Sequence, residues 1–190
     1  MVKNRVVLHD GRIRQAAVTD AGAIADVHVA AWRENYRGLV PDTVLKSLSP
    51  ERRAVEWTER LQRHPSLETV LVAEDDGGRI VGFGACGPQR VAGMPHDGEF
   101  YALYVLRQAQ RRGFGRRLMR AMSARLAEEG HGTATLWVLR ENLAARQFYA
   151  TLGGKRVNEA RGERVEARPG YRLNQVAYGW AKLPLTSEYC

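Results

Sequence analysis

The segment Gln110-Arg111-Arg112-Gly113-Phe114-Gly115 places two glycines and two arginines between a strand-like and a helix-like stretch. The first turn of a helix carries unpaired N–H groups and a partial positive charge, so a turn of this kind suits an anion. Without Cβ atoms, Gly113 and Gly115 let a bulky phosphate reach the backbone, and Arg111, Arg112 and Arg116 surround it with positive charge. Taken alone, the same residues also describe an ordinary strand-to-helix connection with a solvated arginine face. Other chemistries are poorly supplied. The sequence has no G-x-S-x-G nucleophile turn, P-loop or H-E-x-x-H pair. His9, His28, His64, His96 and His131 lack metal-ligand spacing, so no metal is expected, and His28 falls on a helical stripe as a core-edge residue. Cys86, in a β context, reads as packing rather than as a nucleophile.

The elements that must position this turn lie in a chain of 190 residues, 44% hydrophobic and 26% charged. Those values describe one soluble globular domain and exclude disordered and fibrous classes. Cys86 and Cys190 cannot build a disulfide framework, no apolar run is long enough for a membrane, and Met1 to Gly11 lacks a signal-peptide core. A reduced, cytoplasmic domain over residues 12–190, preceded by an arm of residues 1–11, is the expectation. The formal net charge is +8, and seven arginines fall between Arg107 and Arg125, closed by Glu128 and Glu129. Such a segment suits a nucleic-acid surface, an anionic cofactor or an acidic partner, or it simply aids solubility.

Periodicity predicts a short strand over Arg12 to Ala16, then a helix capped at Thr19-Asp20 whose stripe runs through Ile24, Val27, His28 and Ala31 to Trp32 and Tyr36. Gly38 and Pro41 end it. Ser49-Pro50-Glu51 opens a second helix with Ala54, Trp57 and Leu61 on its stripe. Val70 to Val72 and Ile80 to Phe83 flank the turn Asp75-Asp76-Gly77-Gly78 as a hairpin. A loop from Gly87 to Gly98 leads into a strand over Glu99 to Val105. Phe114, Leu118, Met122 and Leu126 mark a helix stopped by Gly130, Leu136 to Leu139 a strand, and Leu143 to Leu152 a helix stopped by Gly153-Gly154. A polar loop over Gly162 to Tyr171 precedes a last strand around Val176 to Leu183. The order βααβββαβαββ is mixed α/β, a sheet flanked by helices.

The pattern Q-x-x-G-x-G after a strand ending Tyr101-Ala102-Leu103-Tyr104-Val105 resembles the acetyl-CoA signature of the GNAT superfamily of N-acetyltransferases. Leu136-Trp137-Val138-Leu139, Asn142, Ala145, Phe148-Tyr149 and Leu152-Gly153 are similar to that family's second segment. Ala31-Trp32-Arg33 through Tyr36-Arg37-Gly38-Leu39-Val40-Pro41 is similar to its first helix and loop. The resemblance runs from about residue 12 to the end. It implies a mostly antiparallel mixed sheet with a splayed parallel strand pair and about four flanking helices. It also implies a bulge in the central strand, with acetyl-CoA lying in the splay. One departure is Gly154, where family members commonly carry an aromatic.

Carried over, the backbone of Leu103 and Val105 holds the pantetheine, with the Val105 amide facing the thioester oxygen. The backbone of Arg111, Arg112, Gly113, Phe114, Gly115 and Arg116 holds the pyrophosphate. Gln110 opens that loop and equally suits a structural brace. Asn142 bonds the cofactor, caps its helix, or does both. Acetyl transfer to an amine requires a deprotonated nucleophile, a donor for the tetrahedral oxyanion and an acid for the leaving thiolate. Tyr149 is the candidate acid and Glu99 the candidate base, against a solvated strand end. Trp32, Tyr36 and Trp137 are candidates for an apolar, electron-rich wall that receives the amine, against plain helix packing for the first two and against core for Trp137, which lies in a buried strand and reads as core. The loop bearing Glu163 and Glu166 either closes over the acceptor or is merely solvated.

The resemblance thus implies an acetyl-CoA-dependent N-acetyltransferase acting on a small-molecule amine or on a peptide or protein amine. No nucleic-acid or membrane partner and a possible homodimer go with it. Two rival readings are a basic nucleic-acid-binding module and a non-catalytic fold that senses acyl-CoA.

Overall fold

Val70 and Val72 alternate with Leu71 and Ala73, and all four are buried. A strand covered on both faces needs helices on both sides of its sheet. In a computed structural model, which describes residues 11–63, 66–164 and 172–183, that is the arrangement. Strands β1 (Arg12–Gln15), β2 (Thr69–Glu74), β3 (Ile80–Pro88), β4 (Gly98–Val105), β5 (Ala134–Leu139), β6 (Lys155–Arg164) and β7 (Arg172–Trp180) form one sheet in the order β1-β2-β3-β4-β5-β7-β6. Every neighbouring pair is antiparallel except β4 and β5, which run parallel.

Helices α1 (Ala21–Asn35) and α3 (Pro50–Gln62) cover one face, where Ile24, Ala25 and Trp57 pack on Val70, Val72 and Phe83. Helices α4 (Phe114–Glu128) and α5 (Leu143–Thr151) cover the other, where Leu118, Met122 and Tyr149 join Leu71, Ala73, Leu136 and Val138. A third apolar cluster, with Trp32, Leu45, Leu139 and Leu173, closes the α1 side beyond the splay. Ser49 caps α3 by accepting from the Arg52 N–H at 3.2 Å, with Pro50 in the first turn, as the local signals require.

Three details differ from the sequence expectation. A short helix α2 (Asp42–Lys46) follows Pro41, where the sequence suggests only a loop. Asp20 makes no side-chain cap on α1; its carboxylate accepts from the Ala17 N–H and grips Arg14 at 2.6 Å. The expected loop from Gly162 begins inside β6, which reaches Arg164, and residues 165–171 lie outside the described residues, as does arm segment 1–10. The position of Gly154 is also explained. A Cβ there would lie 2.7 Å from the Trp180 ring, so the buried Trp180 fills the space an aromatic at 154 would need.

Candidate active site

Parallel pairing between β4 and β5 is confined to Gly98↔Ala134 and Glu99↔Thr135. Beyond those residues the strands part, and the cause lies in β4. Ala85 pairs with Ala102 but Cys86 pairs with Phe100, so Tyr101 is an extra residue, a β-bulge. Phe100 and Leu103 therefore pack on the α4 side, while Tyr101 and Ala102 both pack on the α1 side.

The backbone of β4 past the bulge is directed by a simple alternation. The Leu106 N–H donates to Val81 O at 2.9 Å, towards β3. Successive residues of an antiparallel strand turn their backbone groups to opposite sides, so those of Leu103 and Val105 face the opening. The Val105 carbonyl is taken by the Gln110 side chain at 3.1 Å, and the same amide nitrogen also reaches Asn35 at 3.3 Å. Gln110 is thus a brace that ties the loop to β4 and α1.

At the foot of the opening, Arg111 has φ 63° and Gly113 has φ 85°, both left-handed. Gly113 is the N-cap residue of α4, and a side chain there would meet no atom but would have to adopt that strained backbone. Gly115 has a different reason. A Cβ would lie 3.3 Å from the Phe148 ring, so this glycine lets α4 and α5 approach. Arg111 and Arg116 line the cleft. Arg112 instead turns toward Asp76, at 3.6 Å, and the Phe114 ring is buried in the core. Of these two residues, only the backbone is available to an anion at the turn.

From α5 come Asn142 and Tyr149. Asn142 caps the helix by accepting from the Ala145 N–H at 3.1 Å, and it also lines the cleft. Tyr149 is wedged against Trp180 and Tyr178, and burial raises its hydroxyl well above the usual tyrosine range. It remains a proton donor at any ordinary pH.

The α1 side of the opening is aromatic. His28, Trp32 and Tyr36 recur at intervals of four along α1, so they share one face. His28 stacks on Tyr104 at 5.0 Å between ring centroids and accepts a hydrogen bond from Trp57 Nε1 at 3.3 Å. Burial pushes its imidazole down to about 3, with Arg53 and Arg60 adding to the effect. It is therefore neutral, with the proton on Nε2. Tyr36 meets Trp32 edge-on at 4.7 Å, and burial together with a bond to Tyr104 raises its hydroxyl well above the ordinary value. Trp137 also lines this space. Leu136 and Val138 point to the α4 side, so Trp137 points away from that core, contrary to its reading as core.

Glu99 is 2% exposed, not a solvated strand end. Its carboxylate accepts from the Arg90 backbone N–H at 3.0 Å and from the Arg90 guanidinium at 2.7 Å and 3.3 Å. That guanidinium lies 3.8 Å over the Tyr101 ring. Two further ion pairs border the cleft, Arg53 with Glu56 at 2.6 Å and Arg60 with Glu68, the latter over Trp57. Cys86 is inert by contrast; it is buried, and desolvation pushes its thiol up to about 12.

One continuous cleft of about 1940 Å³ joins the glycine turn, the opened strands and the aromatic wall. That exceeds the roughly 300–1,000 Å³ of a single small-ligand pocket, so it has room for two reactants. The structure brings to it Trp32, Tyr36, Glu99, Leu103, Val105, Gln110, Arg111, Gly113, Gly115, Arg116, Asn142 and Tyr149. Sequence reasoning missed His28, Trp57, Arg90 and Tyr104 as lining residues. The spacing of His28, Trp32 and Tyr36 was a usable signal for the first; the Arg90 clamp, nine residues from Glu99 across a loop, left none. Among the described residues no cluster of three or more histidine, cysteine or carboxylate side chains is suited to a metal, and no helix is long and apolar enough to cross a membrane.

Comparison with known proteins gives a consistent picture. The family model described as the acetyltransferase (GNAT) family matches residues 24–153. The uncharacterized N-acetyltransferase YuaI of Bacillus subtilis (strain 168) is 35% identical over 171 residues, covering 90% of this chain and 93% of that protein. The crystal structure of the PaiA N-acetyltransferase from Thermoplasma acidophilum in complex with coenzyme A superposes with a TM-score of 0.66 at 18% identity, over 89% of this chain and 98% of that one. The structure of yncA from Salmonella typhimurium with its cofactor acetyl-CoA gives 0.64 at 20% identity, over 95% and 96%. These likenesses show the fold.

The buried neutral His28 has a consequence for pH. Its folded value lies below the ordinary 6.5, so the unfolded chain binds the extra proton between about pH 6.5 and 3, and stability falls as pH drops through that window. Thermal melts should show Tm declining from pH 6.5 to 4.5, with a shallower decline in His28→Gln. His96, lowered by desolvation in the same direction, accounts for part of the remaining slope.

Proposed function

The chain belongs to the acetyltransferase (GNAT) family, and on that premise we propose that it moves an acetyl group from acetyl-CoA to a primary amine within a complex of both reactants. The observation that carries this reading is an unpaired stretch of β4 backbone leading into a left-handed turn at the N-terminus of α4. A pantetheine arm fits the first as a strand-like ligand, and a diphosphate fits the second.

In this reading the backbone amides from Arg111 to Arg116, with the Arg111 and Arg116 side chains, hold the diphosphate. Leu103 and Val105 offer backbone bonds to the pantetheine. With its carbonyl capped by Gln110, Val105 presents its N–H alone, a donor for the oxyanion that forms when the amine nitrogen attacks the thioester carbon. Asn142 borders the cofactor while capping α5. As the C–S bond breaks, the Tyr149 hydroxyl protonates the departing thiolate. Trp32 and Tyr36 receive the amine. Glu99 takes its proton on the lone-pair position that Arg90 leaves open, directly or through a water. The acceptor is a small molecule or a peptide amine, and the arginine-rich segment serves the diphosphate rather than a nucleic acid. A cytoplasmic site of action fits both reactants.

Acetyl-CoA at a hundredfold its Kd should stabilise the protein by about 2.7 kcal/mol, read as a rise in Tm. Gly113→Val, which forces a β-branched residue to positive φ, should remove that rise while the apo protein still melts cooperatively; a retained rise would show that the turn is not the anchor. Tyr149→Phe should lower kcat about 100-fold with the KM for acetyl-CoA little changed, measured by thiol release, whereas equal activity would take Tyr149 out of the chemistry. Glu99→Gln should lower kcat/KM at least about tenfold, and an unchanged kcat/KM would leave the proton to solvent.

A further inference from the structure

The amine-receiving half of the cleft is supplied unevenly with hydrogen-bonding groups. The indole N–H of Trp32, a residue 8% exposed, is buried without an acceptor, and so is the indole N–H of Trp137. Both side chains line the cleft. Buried N–H groups are normally paired, by protein, water or ligand. Three carboxylates on the same side are paired, Glu56 with Arg53, Glu68 with Arg60 and Glu99 with Arg90, while Glu34, which accepts from the Arg107 N–H, and Glu59 also line the cleft. The wall thus has two indole donors waiting.

We infer that the acceptor is an amine that also carries a hydrogen-bond-accepting oxygen, the chemistry shared by free amino acids and by amides or peptide N-termini, and that Trp32 and Trp137 select for that oxygen. A polyamine fits poorly. It leaves both indole N–H groups without an acceptor. The inference rests on the acetyl-transfer reading and narrows its acceptor.

The test uses the full chain, acetyl-CoA and matched amines on three apolar skeletons. Leucine, methionine and phenylalanine are compared with their primary amides and with the decarboxylated amines, and spermidine is included. The oxygen-bearing compounds should exceed their bare amines in kcat/KM by at least about tenfold, because a site built around donors rejects an analogue that leaves them unpaired. A preference for the acids marks free amino acids, and a preference for the amides marks peptide-like acceptors. Trp32→Phe keeps the ring and removes the N–H, so it should collapse the ratio toward one; Trp137→Phe serves as a second variant. Preference for bare amines or spermidine, or a ratio that survives both substitutions, overturns the inference and leaves acetyl transfer standing. A Tm rise with acetyl-CoA but no thiol release on any of these amines overturns the transfer reading, and this inference with it.

Discussion

Everything in this cleft depends on how little of β4 is bonded to β5. Two residue pairs hold the strands together, and the extra residue at Tyr101 prevents the ladder from continuing. A sheet interior normally has no free backbone edge, since each unpaired N–H or C=O in a dry place is costly. Here the free edge is created at the centre of a seven-stranded sheet, between two helical layers, and it opens toward solvent through one cleft. The bulge also turns Tyr101 and Ala102 to the same side, which fixes the lining of the opposite wall.

The two ends of the cleft are built from different physics. At the α4 end, backbone N–H groups, a helix terminus and two exposed arginines concentrate positive potential on a small notch. At the α1 end, three carboxylates are paired with arginines, two of which lie over the Trp57 and Tyr101 rings. The middle is governed by burial, which keeps the Tyr36 and Tyr149 hydroxyls protonated and His28 neutral. One fold thus supplies a strongly cationic end and an aromatic end along a single groove.

Local signals in the sequence carried much of this. Ser49, Asn142, Gly130 and Gly153 mark helix ends through interactions within a few residues, and they are where the structure places them. The glycine turn was legible for the same reason, although Gly115 turned out to serve helix packing against Phe148. What escaped was non-local. Asp20 has the sequence of a cap but is drawn to Arg14, and Glu99 looks like an open strand end but is claimed by Arg90. Trp137 is the instructive case. Its neighbours Leu136 and Val138 point to the core, so strict alternation favours the wall for Trp137, whereas its place in a buried strand favoured the core.

Arg111 is the single non-glycine residue at positive φ among the described residues. A left-handed backbone at such a position costs roughly 1–2 kcal/mol that a glycine would avoid. The chain therefore holds a small conformational strain beside the notch, at the residue whose guanidinium lines the cleft. A glycine at that spot would relieve the backbone strain but remove one of the guanidinium groups that line this end of the cleft.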